Sequence, residues 1–423
     1  MTVRYEPFSP EVRDDPYPHY AILRERAPVH WAEEARAYCV SRYEDVRAVL
    51  LDPQRFSSDA MRTMMIGNAP GTDPMSDPES MRRMLAIVSA LPFPPETLAT
   101  MRSLLAEDPP RHGPLRSLVN RGFTPRRISA WAPRLHTVAA GYLAHLRGRD
   151  EFDLVADFAV PFPVQIITEM LGVARDRQDD FKHWSDRIVA GITGSGRALD
   201  PIASGFAPAM GALFEHVLEV AAERRRAPGD DLVSLLVTAQ DGEVALSDAE
   251  LAFFVLLLLV AGNETTTNLI GNATNALLRH PEQLARVRAD RSLVPGLVEE
   301  ALRWESPVQF VFRRATGDVD VAGTRVPANR HVIVLIGSAN RDERQWGPDA
   351  AAFDVTRDTT GHLAFGLGNH FCLGAALARL EAQIALDVLL DELPRFERCT
   401  PRIEYIDSFL VRGPSTLPLR LAA

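Results

Sequence analysis

Cys372 lies in "FGLGNHFCLG" (365–374), a loop carrying three glycines and one histidine. Directly behind it, "AALARLEAQIALDVLLDEL" has the pattern of a helix. A structural thiol belongs in a packed strand or helix, whereas this one is presented to something. A helix start offers a sulfur free N–H groups and a positive dipole end. A second polar patch, "AGNETT" (261–266), interrupts the longest apolar run of the chain, "LAFFVLLLLVAG" (251–262). Gly262 costs roughly 1 kcal/mol in a helix interior. Glu264 is expensive to bury without a partner. Thr265 and Thr266 can bond back to a carbonyl and bend the helix. An acid beside an alcohol is what a proton relay needs: the alcohol donates a hydrogen bond and the acid resupplies the proton. The plainer reading is that the helix leaves the core at this point. Against it, "LIGNATNALL" resumes apolar character at once, so the patch reads as the kinked wall of a cavity.

Those residues need elements to hold them. Ser247 and Glu250 form a capping box at the start of the apolar helix, and His280-Pro281 stops it. That leaves about 32 residues, on the order of 48 Å, enough to cross a domain. Near the N-terminus, "APVHW" and "AYCVS" flank a polar turn and predict a short β-hairpin. "RYEDVRAVLLDPQRF" predicts a helix stopped by Asp52-Pro53. Residues 60–110 hold eight prolines and seven of the ten methionines: Met61, Met64, Met65, Met75, Met81, Met84 and Met101. From 111 to about 300 the periodicity is mostly helical, with a glycine-marked connection at Gly191, Gly194 and Gly196. After 305, short β-type runs follow, and "YIDSFLVRGPSTLPLRL" ends the chain with strand-like alternation. The expectation is a mainly α fold with a small β portion drawn from both ends of the sequence.

The chain has 423 residues, 46% hydrophobic and 24% charged, an ordinary globular composition. Three cysteines, Cys39, Cys372 and Cys399, give no disulfide framework and fit a reducing cytosol. The first residues show no basic segment followed by an apolar one, so no signal peptide or membrane anchor is expected. A net charge of −10 argues against nucleic-acid binding. Lys182 is the only lysine, and the other 45 basic residues are arginines.

Four stretches, in order and at matching separations, resemble cytochrome P450 of the bacterial, ferredoxin-dependent type. "FGLGNHFCLG" resembles the haem-binding loop, with Phe365, Gly366, Gly368, His370, Cys372 and Gly374 in place. "AGNETT", from Ala261, resembles the oxygen-activating helix motif. "EALR" (300–303) resembles the Glu-x-x-Arg pair, here Glu300 and Arg303, which lie one helical turn apart. "RHGPLRSLVNRGFTPRRI" resembles the segment whose histidine and arginine hold a haem propionate, here His112 and Arg116. The likeness runs from about residue 5 to 415. One departure stands out: where many relatives carry an arginine before the Phe of "FDVTR", this chain has Ala352, with Arg357 as one candidate substitute.

The resemblance implies a single domain over residues 1–423, a triangular helical body with a long central helix over the haem. Its β-rich part would fall at about 25–60 and 305–360 plus the C-terminal strands, and its helical body at about 111–300 and 373–395. It implies haem b as cofactor with the Cys372 thiolate on iron, a ligand that favours O–O cleavage. His112, Arg116, Arg313 and His370 would hold the propionates, Arg313 being preferred to Arg314 because "RRATG" matches a family Arg-x-Ala-Thr pattern. Thr265 would support proton delivery to oxygen, Glu264 would feed protons from solvent, and Gly262 would leave room for O2 where the helix bends. Cys39 and Cys399 are expected to be ordinary thiols.

The methionine-rich stretch falls where the family places the loop over the distal pocket, and Gly191 to Ser204 where it places the opposing lid. Methionine suits an adaptable apolar pocket, although it also serves as generic core filler. Met84, Leu85, Leu258, Val308, Phe310, Val311, Phe409 and Leu410 are candidate pocket walls. The expected reaction inserts one oxygen atom of O2 into an apolar small molecule by hydroxylation or epoxidation; secondary metabolites, terpenoids, macrolides, steroids and fatty acids are the candidate classes. Arg111, Arg116, Arg121, Arg126 and Arg127 fall within 17 residues that contain no acid. The family reading of this excess is a dock for an acidic ferredoxin, which receives electrons from NAD(P)H through a reductase. A cytoplasmic monomer is expected. Three rivals are a peroxide-driven peroxygenase or isomerase on the same fold, a non-enzymatic haem sensor, and a cysteine hydrolase using His370 and Cys372. The intact Glu264–Thr265 pair, the lack of an obvious output domain, and the lack of a clear oxyanion site or base orienter argue against them in turn.

Overall fold

The computed structural model describes residues 3–61, 78–174, 177–193, 204–240, 244–393 and 395–421. Met64, Met65 and Met75, and the lid from 194 to 203, lie outside them. The described chain is mainly helical with a small β portion. The helix from Asp248 to Arg279 runs through the middle. Ser247 and Glu250 bond reciprocally to each other's backbone at its start, and His280 ends it. By length and composition it could cross a membrane, yet 61% of its most apolar window is buried inside the fold. Here it serves as the core helix around which the largest apolar cluster forms. It packs on Pro161–Met170, Phe206–Arg226, Val294–Trp304 and Ala375–Glu392.

The helix runs as unbroken α through Gly262, from Asp248 to Arg279. The hydroxyls of Thr265 and Thr274 donate to carbonyls four residues back at 2.6 and 2.9 Å, leaving the main-chain ladder intact.

The strands are β1 (Val29–Ala32), β2 (Ala37–Val40), β3 (Phe56–Ser57), β4 (Glu151–Asp153), β5 (Val311–Ala315), β6 (Val319–Val321), β7 (Thr324–Val326), β8 (His331–Val334), β9 (Phe396–Arg398) and β10 (Pro418–Leu421). The main sheet has the order β1-β2-β8-β5-β3. The β1–β2 hairpin pairs Val29 with Val40, and β8 joins β2 in parallel. A second sheet, β4-β10-β9, ties the chain end to the helical body, and β6 pairs with β7. The strand-like alternation near the C-terminus is realised only at β10. Residues 404–417 instead form a loop pinned by isolated bridges at Val308–Val411 and Tyr405–Pro414. Pro414 has no N–H to give a ladder.

Candidate active site

Cys372 is positioned by its loop. Its N–H donates to the Phe365 carbonyl at 2.8 Å, and the Phe371 N–H to the Gly368 carbonyl at 3.1 Å. Gly366 and Gly368 sit at φ +69° and +72°, where a side chain is strained, and a Cβ on Gly368 would stand 3.0 Å from the Leu50 carbonyl oxygen. The following helix begins at Ala375 with Gly374 as its N-cap. Burial pushes the Cys372 thiol up, while the Gly374 backbone N–H and the charges of Arg116 and Arg379 act the other way. Cys39 is fully buried and its thiol is pushed far up by desolvation; Cys399 is half-buried.

The four propionate candidates come together. The rings of His112 and His370 lie 4.4 Å apart, and each leaves a buried Nε2 without a partner among the described residues. Burial, Arg313, His112 and Arg116 together push the His370 imidazole down to about 3. Arg313 is buried in β5, among the described residues bonds only to the Phe312 carbonyl at 2.8 Å, and is pushed down to about 10 by desolvation. Arg116 bonds to Asn120 at 3.0 Å and is also lowered by burial. Arg314 is otherwise engaged, holding Asp59 and the Asn329 side chain. The nearby carboxylate of Asp108 is taken up by Ser57 and the Ser58 N–H. Two orphaned imidazole nitrogens beside two under-used guanidiniums call for an anion with more than one acceptor. The two carboxylates of a haem match that need.

On the central helix, the Thr265 hydroxyl donates to the Ala261 carbonyl at 2.6 Å. Ala261 is exposed although the helix on either side is largely buried. A Cβ on Gly262 would meet nothing within 4 Å. The patch therefore faces open space, with Thr265 and Glu264 half-buried at its edge.

Two residues at this site, Asn263 and Glu381, are given no role from the sequence. Asn263 is buried, with neither amide atom partnered among the described residues. Glu381, on the helix after Cys372, accepts from the Thr266 hydroxyl at 3.3 Å and is pushed up to about 8 by burial. The ion pair Glu300–Arg303 is fully buried. Arg303 gives its Nε and one Nη2 hydrogen to Glu300 at 2.7 Å and its others to the carbonyls of Asn340, Ala350 and Ala352 at 2.8–3.0 Å. Ala352 thus takes part through its backbone. Arg357 stands 3.5 Å from Glu300 and binds Asp349 at 2.9 Å.

The candidate pocket walls divide. Leu258 is a buried core residue of the central helix. Met84 is half-buried and Leu85 is 55% exposed on the helix Pro78–Ala90, which packs on Phe206–Arg226. Val308 bridges Val411. Val311 packs on the sheet cluster. Phe310 and Phe409 pack tilted and edge-on against Phe8 of the N-terminal segment, with ring centroids 6.3 and 4.9 Å away, and Leu410 joins the same cluster.

The family model for cytochrome P450 matches residues 101–400. The chain belongs to the cytochrome P450 family. It is 41% identical to cytochrome P450 107B1 of Saccharopolyspora erythraea, over 98% of this chain and 97% of that one. It is 37% identical to the vitamin D(3) 25-hydroxylase of Pseudonocardia autotrophica, over 99% and 97%. The structure of CYP109Q5 from Chondromyces apiculatus superposes with a TM-score of 0.86 at 40% identity, covering 100% of this chain and 99% of that one. This cytochrome P450 is therefore an oxidoreductase of the monooxygenase class, with haem b as cofactor, O2 as co-substrate and electrons that originate in NAD(P)H.

Proposed function

We propose that this cytochrome P450 hydroxylates or epoxidises an apolar small molecule of the size of a steroid or macrolide, with electrons delivered by a ferredoxin. One relative is named for the 25-hydroxylation of vitamin D(3), which supports the substrate class. When bound, the haem supplies the activation of O2, with Cys372 as its iron ligand and His112, His370, Arg313 and Arg116 as partners of its carboxylates. The observation that carries the reading is the Thr265–Ala261 hydrogen bond beside the open space at Gly262. The Thr265 hydroxyl is held at the cavity edge, and Glu264 next to it is half-buried and able to exchange protons with solvent.

The ferredoxin dock is the arginine surface. Arg111, Arg121, Arg126 and Arg127 are all exposed on the helices His112–Asn120 and Pro125–Ser129 and the residues joining and preceding them. An acidic partner would be steered to it, with an on-rate that falls as salt rises. A single catalytic domain and a cytoplasmic location complete the proposal.

Thr265→Ala tests the relay. Electron consumption should continue while product per NAD(P)H falls, by up to about 10²-fold, and Thr265→Ser should restore most of it. Unchanged coupling in Thr265→Ala contradicts the role. Turnover with H2O2 but none with NAD(P)H, reductase and ferredoxin would favour the peroxygenase rival. A spectral-shift screen of steroids, macrolides and fatty acids tests the substrate class.

A further inference from the structure

Glu299 lies beside the buried pair but faces other partners. Its carboxylate accepts from Arg379 Nε at 2.6 Å and Nη2 at 3.0 Å. It also meets His362 Nε2 at 2.9 Å. The other nitrogen of His362, Nδ1, accepts the Ala364 N–H at 3.2 Å. The proton of a neutral ring must then sit on Nε2 and point at Glu299. Burial raises the Glu299 carboxyl, but the hydrogen bonds from His362 and Arg379 outweigh it and hold the group at about 2. The carboxylate is thus a permanent charge.

Three segments distant in sequence converge in this clamp: the helix Val294–Trp304, the loop at His362 and the helix Ala375–Glu392. What they fix is the Arg379 guanidinium, 4.4 Å from the centroid of the Phe365 ring. The Phe365 carbonyl in turn accepts the Cys372 N–H at 2.8 Å. Nothing in the haem-carboxylate cluster requires this arrangement, which lies on a different set of side chains.

We propose that Arg379 is a positioning residue that sets the reduction potential of the iron–thiolate centre, and that Glu299, anchored by His362, tunes it in the opposite sense. The inference rests on the reading of Cys372 as the iron ligand. One-electron reduction makes the centre more negative by one charge, with no bond made or broken. A fixed guanidinium nearby favours that form, and a fixed carboxylate disfavours it. Both side chains are about one-quarter to one-third exposed, so solvent screens the effect without cancelling it.

The test is redox titration of the haem-loaded protein and four variants, with the reduced CO spectrum recorded for each. Arg379→Gln should lower the midpoint potential, Glu299→Gln should raise it, and the double variant should return towards the parent value. Arg379→Lys, which keeps the charge, should stay near the parent. A purely structural clamp gives shifts of the same sign in both single variants, or none, and either result overturns the inference. If Arg379→Gln fails to fold, the sign for Glu299→Gln still decides. A parent protein without the red-shifted CO Soret band would sink the ligand reading instead. A band that persists with unmoved potentials sinks only this inference.

Discussion

The two sides of the central helix are built by different physics. On the cysteine side, directional contacts dominate. Arg303 uses its donors on Glu300 and three carbonyls, the Cys372 N–H is tied to Phe365, and Glu299 joins His362 to Arg379. On the distal side, the described helices Pro78–Ala90 and Phe206–Arg226 meet through close small-residue contacts, and Leu85 stands exposed. Directional contacts fix one geometry, which a shared oxidant requires. Apolar contacts constrain size and shape loosely, which leaves room for substrates to vary on one fold.

Breaking the directional side should cost most. Glu300→Gln leaves the Arg303 charge buried without its carboxylate, a loss of about 3–5 kcal/mol. Chemical denaturation should show it together with poor haem retention, and an unchanged midpoint would mean that the pair is incidental.

Glu381 lies at the seam between the two sides, and its effect depends on pH. Folded, its carboxyl titrates near 8; the ordinary value is 4.5. Between those values the folded protein keeps a proton that the unfolded chain has lost. Stability from this group is therefore full below the lower value and is lost as pH rises through the upper one. Glu381→Gln keeps the shape and removes the titration. It should be more stable than the parent at pH 8, by roughly 4 kcal/mol, and little different near pH 4.5. Equal melting curves at both pH values would contradict the buried-acid account.

Gly262→Ala is the smallest change. A methyl there meets open space, so helix propensity should add up to about 1 kcal/mol and raise the melting temperature slightly. A lower melting temperature would show that the space is filled.

The sequence is most legible where the chemistry is local. Ser247, Glu250 and His280 mark the ends of the central helix because caps are written within a few residues. The β1–β2 hairpin is equally local. The conjunction of Cys372, Thr265, Glu300 and His112 needed the family likeness, because no periodicity brings them together. Arg379, His362 and Glu381 stayed hidden for the same reason. Their partners are 80, 63 and 115 residues away, and an arginine or glutamate on a helix carries no mark of its partner.

The most direct test of the account is the spectrum of the reduced, CO-bound protein. The parent should show the red-shifted Soret band of a thiolate-ligated haem. Cys372→Ser, which keeps the shape of the loop and removes the thiolate, should lose that band. A Cys372→Ser protein that retains it would contradict Cys372 as the iron ligand.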